Sequence, residues 1–140
     1  MSLNSLLKAG KLKRHKTSAR EISDLFEVVQ RDLKDASIKE LSADRRFATA
    51  YNAALQLTTI LMYSHGYRAV SQGHHKTSFE FLASIEKKKF KNLASYFDLC
   101  RKKRNVTDYD RTEVVSNKEA IELIEEVKSF YNEIERMVKK

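Results

Sequence analysis

A chain of 140 residues and 16.3 kDa has room for one domain with a buried core, which excludes a multidomain enzyme. Lys and Arg number 27 against 19 Asp and Glu, so the net charge of +8 and pI near 9.6 favour an anionic partner such as nucleic acid or an acidic protein. With 41% hydrophobic and 33% charged residues the composition is that of a folded chain, and zero Pro with three Gly points to helices.

Residues 1–17 read as a basic arm in which Lys8, Lys11, Lys13, Arg14 and Lys16 occur without any acid. Its apolar stretch from Leu3 to Leu7 is too short for a signal-peptide core. Ser18 and Glu21 then form a capping box, and Ile22, Leu25, Phe26, Val29 and Leu33 recur at helical spacing, predicting a helix over 18–36. After a break at 37–41, Phe47, Ala50, Tyr51, Ala54, Leu57, Thr58 and Leu61 predict a long helix over 42–65, stopped by Gly66. The polar stretch 66–75 reads as a loop, with Thr77 capping a shorter helix that holds Phe79, Leu82 and Ala83. A turn at 87–91, without Gly or Pro, precedes a helix over 90–107 that carries Leu93, Tyr96, Phe97 and Cys100 on one stripe. Ser116 and Glu119 open a last helix over 116–139, lined by Ala120, Leu123, Ile124, Val127, Phe130, Tyr131, Ile134 and Val138.

Five amphipathic segments joined by short connections predict an all-α, up-and-down antiparallel helical bundle over 18–140, with no strand longer than a stray bridge. Alternating directions would bring the start of the first helix, the 66–75 loop and the 105–116 turn to one end, and with them the basic arm, His74, His75 and Arg104. No run of 18 apolar residues occurs, so neither a membrane span nor export is expected. The lone Cys100 excludes an intrachain disulfide, and the expected compartment is the reducing cytoplasm.

Arg104 falls eleven positions after Leu93, on the apolar side of its helix, where a cation needs a reason. Asp108 at i+4 can pair with it, and a helix C-terminus favours a cation. Alternatively Arg104, Asn105, Asp108 and Tyr109 form a polar cluster whose guanidinium fork donates two parallel hydrogen bonds to a phosphate. Cys100 lies on the apolar stripe and reads as core. Four His and one Cys have no metal-ligand spacing, so no metal and no cofactor is expected. Lys87, Lys88, Lys89 and Lys91 read as a solvated turn, and Glu119, Glu122, Glu126 and Glu133 as a wet helix face.

Several strings carry a family likeness: Ala50-Tyr51-Asn52-Ala53-Ala54-Leu55, Gly66-Tyr67-Arg68, Gly73-His74-His75, and above all Tyr96-Phe97-Asp98 through Arg101-Lys102-Lys103-Arg104-Asn105 to Asp108-Tyr109-Asp110. Over 18–138 the chain resembles the small stand-alone HEPN (higher eukaryote and prokaryote nucleotide-binding) proteins. The resemblance implies a helical bundle that usually dimerises, often encoded beside a nucleotidyltransferase in toxin–antitoxin or defence pairs. Active members are metal-independent endoribonucleases that carry Arg, four to six residues, then His. Arg104-Asn105 matches the start of that pattern, but the fifth residue on is Tyr109 and no His lies between 76 and 140.

Cleavage by the RNA 2′-hydroxyl needs an acid and a base near neutral pH, which imidazole supplies and a phenol of pKa about 10 does not. Three readings follow. The first, which we adopt, is a module that binds RNA, a nucleotide or a cognate nucleotidyltransferase through Arg104, Asn105, Arg101, Lys102, Lys103 and Lys76, with weak or no cleavage. The second is an endoribonuclease in which Arg104 works with a relocated base, Asp108 or His74/His75, and Tyr109 is a poor substitute for the missing His. The third is an interaction domain in which 104–110 only caps a helix. A homodimer with its two Arg104 clusters close together is expected from the resemblance, and no membrane partner.

Overall fold

The computed structural model describes residues 2–70, 73–109 and 115–138, residues 106–109 by their backbone alone. In chain order these form α1 (Leu3–Lys8), β1 (Leu12–Arg14), α2 (Ala19–Ala36), α3 (Ala43–Ser64), β2 (Tyr67–Ala69), α4 (His74–Ser84), α5 (Lys91–Tyr109) and α6 (Asn117–Val138). The all-α helical bundle is therefore what the chain adopts. The exception to the expectation of no strand is a three-residue antiparallel pair, Leu12 opposite Ala69, Lys13 opposite Arg68 and Arg14 opposite Tyr67. Pairs this short carry no readable alternation, and here Leu12 ties the ribbon down by entering the core.

Capping chemistry sets the helix starts. Ser18 Oγ accepts from the Glu21 amide at 3.1 Å, Ser42 Oγ from the Arg45 amide at 3.2 Å, and Ser116 Oγ from the Glu119 amide at 3.1 Å. Glu119 completes its box by accepting from the Ser116 amide at 3.0 Å. Thr77, expected to cap α4, is instead buried inside it, because Gly73 turns the chain at φ 68° and the helix begins at once with His74.

The central element is α3, buried on nearly every side by Ala50, Tyr51, Ala53, Ala54, Leu57, Ile60 and Leu61. Against it stands an aromatic spine, Phe79 to Phe97 at 5.7 Å, Phe97 to Phe130 at 5.5 Å and Phe130 to Phe90 at 5.5 Å between ring centroids. Full burial of each such ring contributes about 1.5–3 kcal/mol. Buried Asp32 of α2 accepts from Asn52 Nδ2 of α3 at 2.6 Å and from the Arg31 guanidinium at 3.2 Å, which locks the α2–α3 register.

Between α4 and α5 the helix is broken where the sequence offers neither Gly nor Pro. Glu86, Lys87 and Lys88 all take positive φ, 53°, 54° and 64°, making one left-handed turn. L-residues resist this conformation by about 1–2 kcal/mol each. Buried Ile85 and Phe90 clamp the two ends, Glu86 pairs with His65 at 3.4 Å and Lys89 with Glu133 at 3.1 Å.

Directions alternate across the short connections, while the 65–73 connection behaves differently. Tyr51, near the start of α3, meets His75 and Phe79 at the start of α4, whereas His65 at the end of α3 meets Phe81 and Glu86 at the end of α4. Thus α3 and α4 run in the same sense, with β2 (Tyr67–Ala69) between them in chain order. The start of α2 accordingly lies beside Ser64 and Val138, at the end of the bundle away from Arg104. The expected gathering of the basic arm at the Arg104 end is not found: Arg14 stacks on Tyr67 and His15 on Tyr63, close to the C-terminal end of α3.

Candidate anion-binding site

The first turn of α4 packs against Tyr51 of α3, and α5 arrives there from the opposite direction. Tyr51 is almost fully buried, and its hydroxyl oxygen lies 2.9 Å from His75 Nδ1. The Arg104 guanidinium carbon stands 5.4 Å above the Tyr51 ring, a cation–π contact. The His74 ring is edge-on to His75 with centroids 4.4 Å apart. Three helices thus place one phenol, two imidazoles and one guanidinium in a single cluster.

Burial makes His75 hard to protonate, and the charges of His74, Arg104 and Arg101 add to it, bringing its pKa down to about 4. The same burial pushes the Tyr51 phenol up, against the opposing pull of Arg104 and Arg101. At neutral pH the pair is therefore a protonated phenol beside a neutral imidazole. With the imidazole proton on Nε2 the phenol donates to Nδ1, which uses the ring's one lone pair and leaves Nε2–H as its remaining donor.

The other expected site residues divide. Arg101 is close enough for its charge to act on Tyr51 and His75, and its Nε donates to Asp98 Oδ1 at 2.8 Å. Lys102, also near Asp98 at 3.8 Å, is exposed. Lys103 turns to α6, where its Nζ donates to Glu119 Oε2, and this pair holds the Glu119 carboxyl below the usual range. Asn105 is exposed at the Arg104 end, and Lys76 is exposed above a groove between α4 and α5 lined by Phe79, Asp98 and Leu99. Asp108 and Tyr109 belong to α5, but their side chains lie outside the described residues, as does everything over 110–114.

Cys100 is core, its thiol raised to about 12 chiefly by burial. Among the described residues no three His, Cys, Asp or Glu side chains converge where a metal ion could be held. Nor is any described helix long and apolar enough to cross a membrane.

Tyr51 is the member of the cluster that sequence reading missed. It occupies an ordinary position on the apolar stripe of α3, and the one available signal was general: a tyrosine buried in a core needs a partner for its hydroxyl.

No curated protein and no solved structure matches this chain. One family model does, SAV_6107-like HEPN, over residues 37–135, a span that takes in Tyr51, both histidines and Arg104. With that match across most of its length, on an all-α bundle, the chain belongs to the HEPN family.

Proposed function

We propose that the Tyr51–His75–Arg104 cluster binds a phosphate group of RNA, or of a nucleotide carried by a protein partner, and that the isolated protein cleaves RNA weakly or not at all. HEPN membership supports a nucleotide- or RNA-related module in general. What carries the finer reading is the state of His75. Its pKa is lowered to about 4, so at neutral pH it is an uncharged and weakly basic imidazole, and in the tautomer in which Tyr51 donates to Nδ1 its free group is the Nε2–H. A neutral imidazole N–H beside a guanidinium fork suits a phosphate oxygen. Lack of a general base costs about a hundred- to ten-thousand-fold in cleavage rate. The expected partners are a second copy of the chain, with the two Arg104 ends close together, and a cognate nucleotidyltransferase of a toxin–antitoxin or defence pair. The cytoplasm is the compartment that fits them.

The test is RNA binding and cleavage by pure protein in the presence of a metal chelator. Arg104→Ala should weaken binding, and binding should fall as salt rises. Tyr109→His should raise cleavage by restoring the family pattern. Salt-insensitive or absent RNA binding, with no nucleotidyltransferase encoded nearby, would favour an interaction domain in its place. Sedimentation should show a species of twice 16.3 kDa.

A second reading is favoured by the exposed His74, whose ring touches His75 on the Arg104 side of the bundle. In an endoribonuclease with a relocated base, His74 or Asp108 would take the 2′-hydroxyl proton. Brisk metal-independent cleavage abolished by His74→Ala or Asp108→Ala would establish that reading and displace the first.

A further inference from the structure

The β1–β2 ribbon is built from the two longest stretches of the chain that lack acidic residues, 1–20 and 45–79. In its register Lys13 stands directly opposite Arg68, and both are exposed. The His15 amide donates to the Gly66 carbonyl at 2.8 Å and the Val70 amide to the Lys11 carbonyl at 3.1 Å. By alternation Lys13 and Arg68 form the hydrogen-bonded pair between them, with their side chains on the same face. Leu12 on the other face is buried, so the two cations point away from the core.

Like charges directly opposite one another on a strand pair are destabilising. The carboxylates at the two ends of the ribbon engage residues other than Lys13 and Arg68: Glu80 pairs with Lys11 at 3.5 Å, and Glu21 accepts from Thr17 at 2.7 Å and contacts His15 Nε2 at 2.7 Å. On the opposite face, at the Gly66 end of the ribbon, the exposed Arg14 guanidinium lies 5.4 Å from the centroid of the half-buried Tyr67 ring and takes no part in the Lys13–Arg68 surface. A solvent-facing pair of adjacent cations is the electrostatic part of the surfaces that track the backbone of single-stranded nucleic acid, each charge neutralising a phosphate. A membrane surface fits less well, because among the described residues the large exposed apolar side chains Ile38, Leu99 and Ile121 all lie outside the ribbon.

We propose that this ribbon is a second RNA-contacting surface, separate from the Arg104 cluster, in which Lys13 and Arg68 neutralise adjacent phosphates of a single strand. An RNA strand then supplies the negative charge that the ribbon itself lacks.

The experiment is fluorescence anisotropy of the full chain with a labelled oligouridylate of about 20 nucleotides, across a series of salt concentrations. For Lys13→Ser/Arg68→Ser the affinity at low salt should fall about tenfold, and the slope of log K against log salt should shrink by about 1.4, two phosphates' worth for a single strand. The same decrement should appear in an Arg104→Ala background, so failure of the Arg104 reading and failure of this one are distinguishable. Lys13→Glu, which converts the repulsive pair into an attractive one, should raise Tm by about 1–3 °C while lowering RNA affinity. Unchanged affinity and slope in both ribbon variants would overturn the proposal. So would loss of binding to phosphatidylserine vesicles with RNA binding intact, which would assign the ribbon to a membrane surface.

Discussion

The hydroxyl of Tyr51 and Nδ1 of His75 lie 2.9 Å apart, joining the most buried helix of the bundle to the first turn of α4. Tyr51→Phe keeps a ring beneath Arg104 and removes only this hydrogen bond, and should cost about 1 kcal/mol of stability. Tyr51→Leu loses the ring as well and should cost more. Urea denaturation of the two variants separates the hydrogen bond from the cation–π contact.

The depressed pKa of His75 gives stability a pH dependence of definite sign. An unfolded chain protonates this residue near its ordinary 6.5, the folded chain only near 4, so the unfolded state binds more protons between those values. The contribution is fully present above about pH 6.5 and is lost as pH falls towards 4. His75→Gln should flatten this part of the profile, read as the urea midpoint from pH 7 down to pH 4.

At the left-handed turn, Lys87→Gly should stabilise the protein by about 0.5–1 kcal/mol, since relief of the side-chain clash at φ 54° exceeds the backbone entropy that glycine adds. Lys87→Ala keeps the clash and should bring no such gain. Thermal melts of the two variants provide the comparison.

Asn52→Ala should cost about 1–3 kcal/mol, because the buried Asp32 carboxylate would lose its donor at 2.6 Å. Arg31→Ala, whose side chain is 64% exposed, should cost far less. Guanidinium denaturation of both variants tests which partner sustains the buried acid.

The long helices were legible because a stripe repeated over five or six turns leaves little choice, and Ser18, Ser42 and Ser116 each cap the helix that follows. The break after Ile85 was legible as a turn, though not as a left-handed one, since nothing in Glu86-Lys87-Lys88 favours positive φ and the clamp comes from tertiary burial of Ile85 and Phe90. The meeting of His75 with Arg104 was expected for a reason that does not hold. It arises because α4 runs in the same sense as α3, and the β2 strand between them pairs with residues more than fifty positions away in sequence, beyond the reach of any local pattern. Tyr51 stayed invisible for the same reason: its distinction lies wholly in which side chains meet it.

The pairing of β1 with β2 makes the N-terminal segment a clasp. Leu6 and Leu12 are anchored in the core, and β1 holds β2 in the path that brings His74 and His75 to Arg104 from the far end of α3. Neither Leu6 nor Leu12 belongs to the cluster, yet releasing them would unfasten it. A truncated chain lacking residues 1–17 would lose the meeting of Tyr51, His75 and Arg104 with the phenol, imidazole and guanidinium all still encoded, the lesion being in the fastening rather than in the groups it fastens.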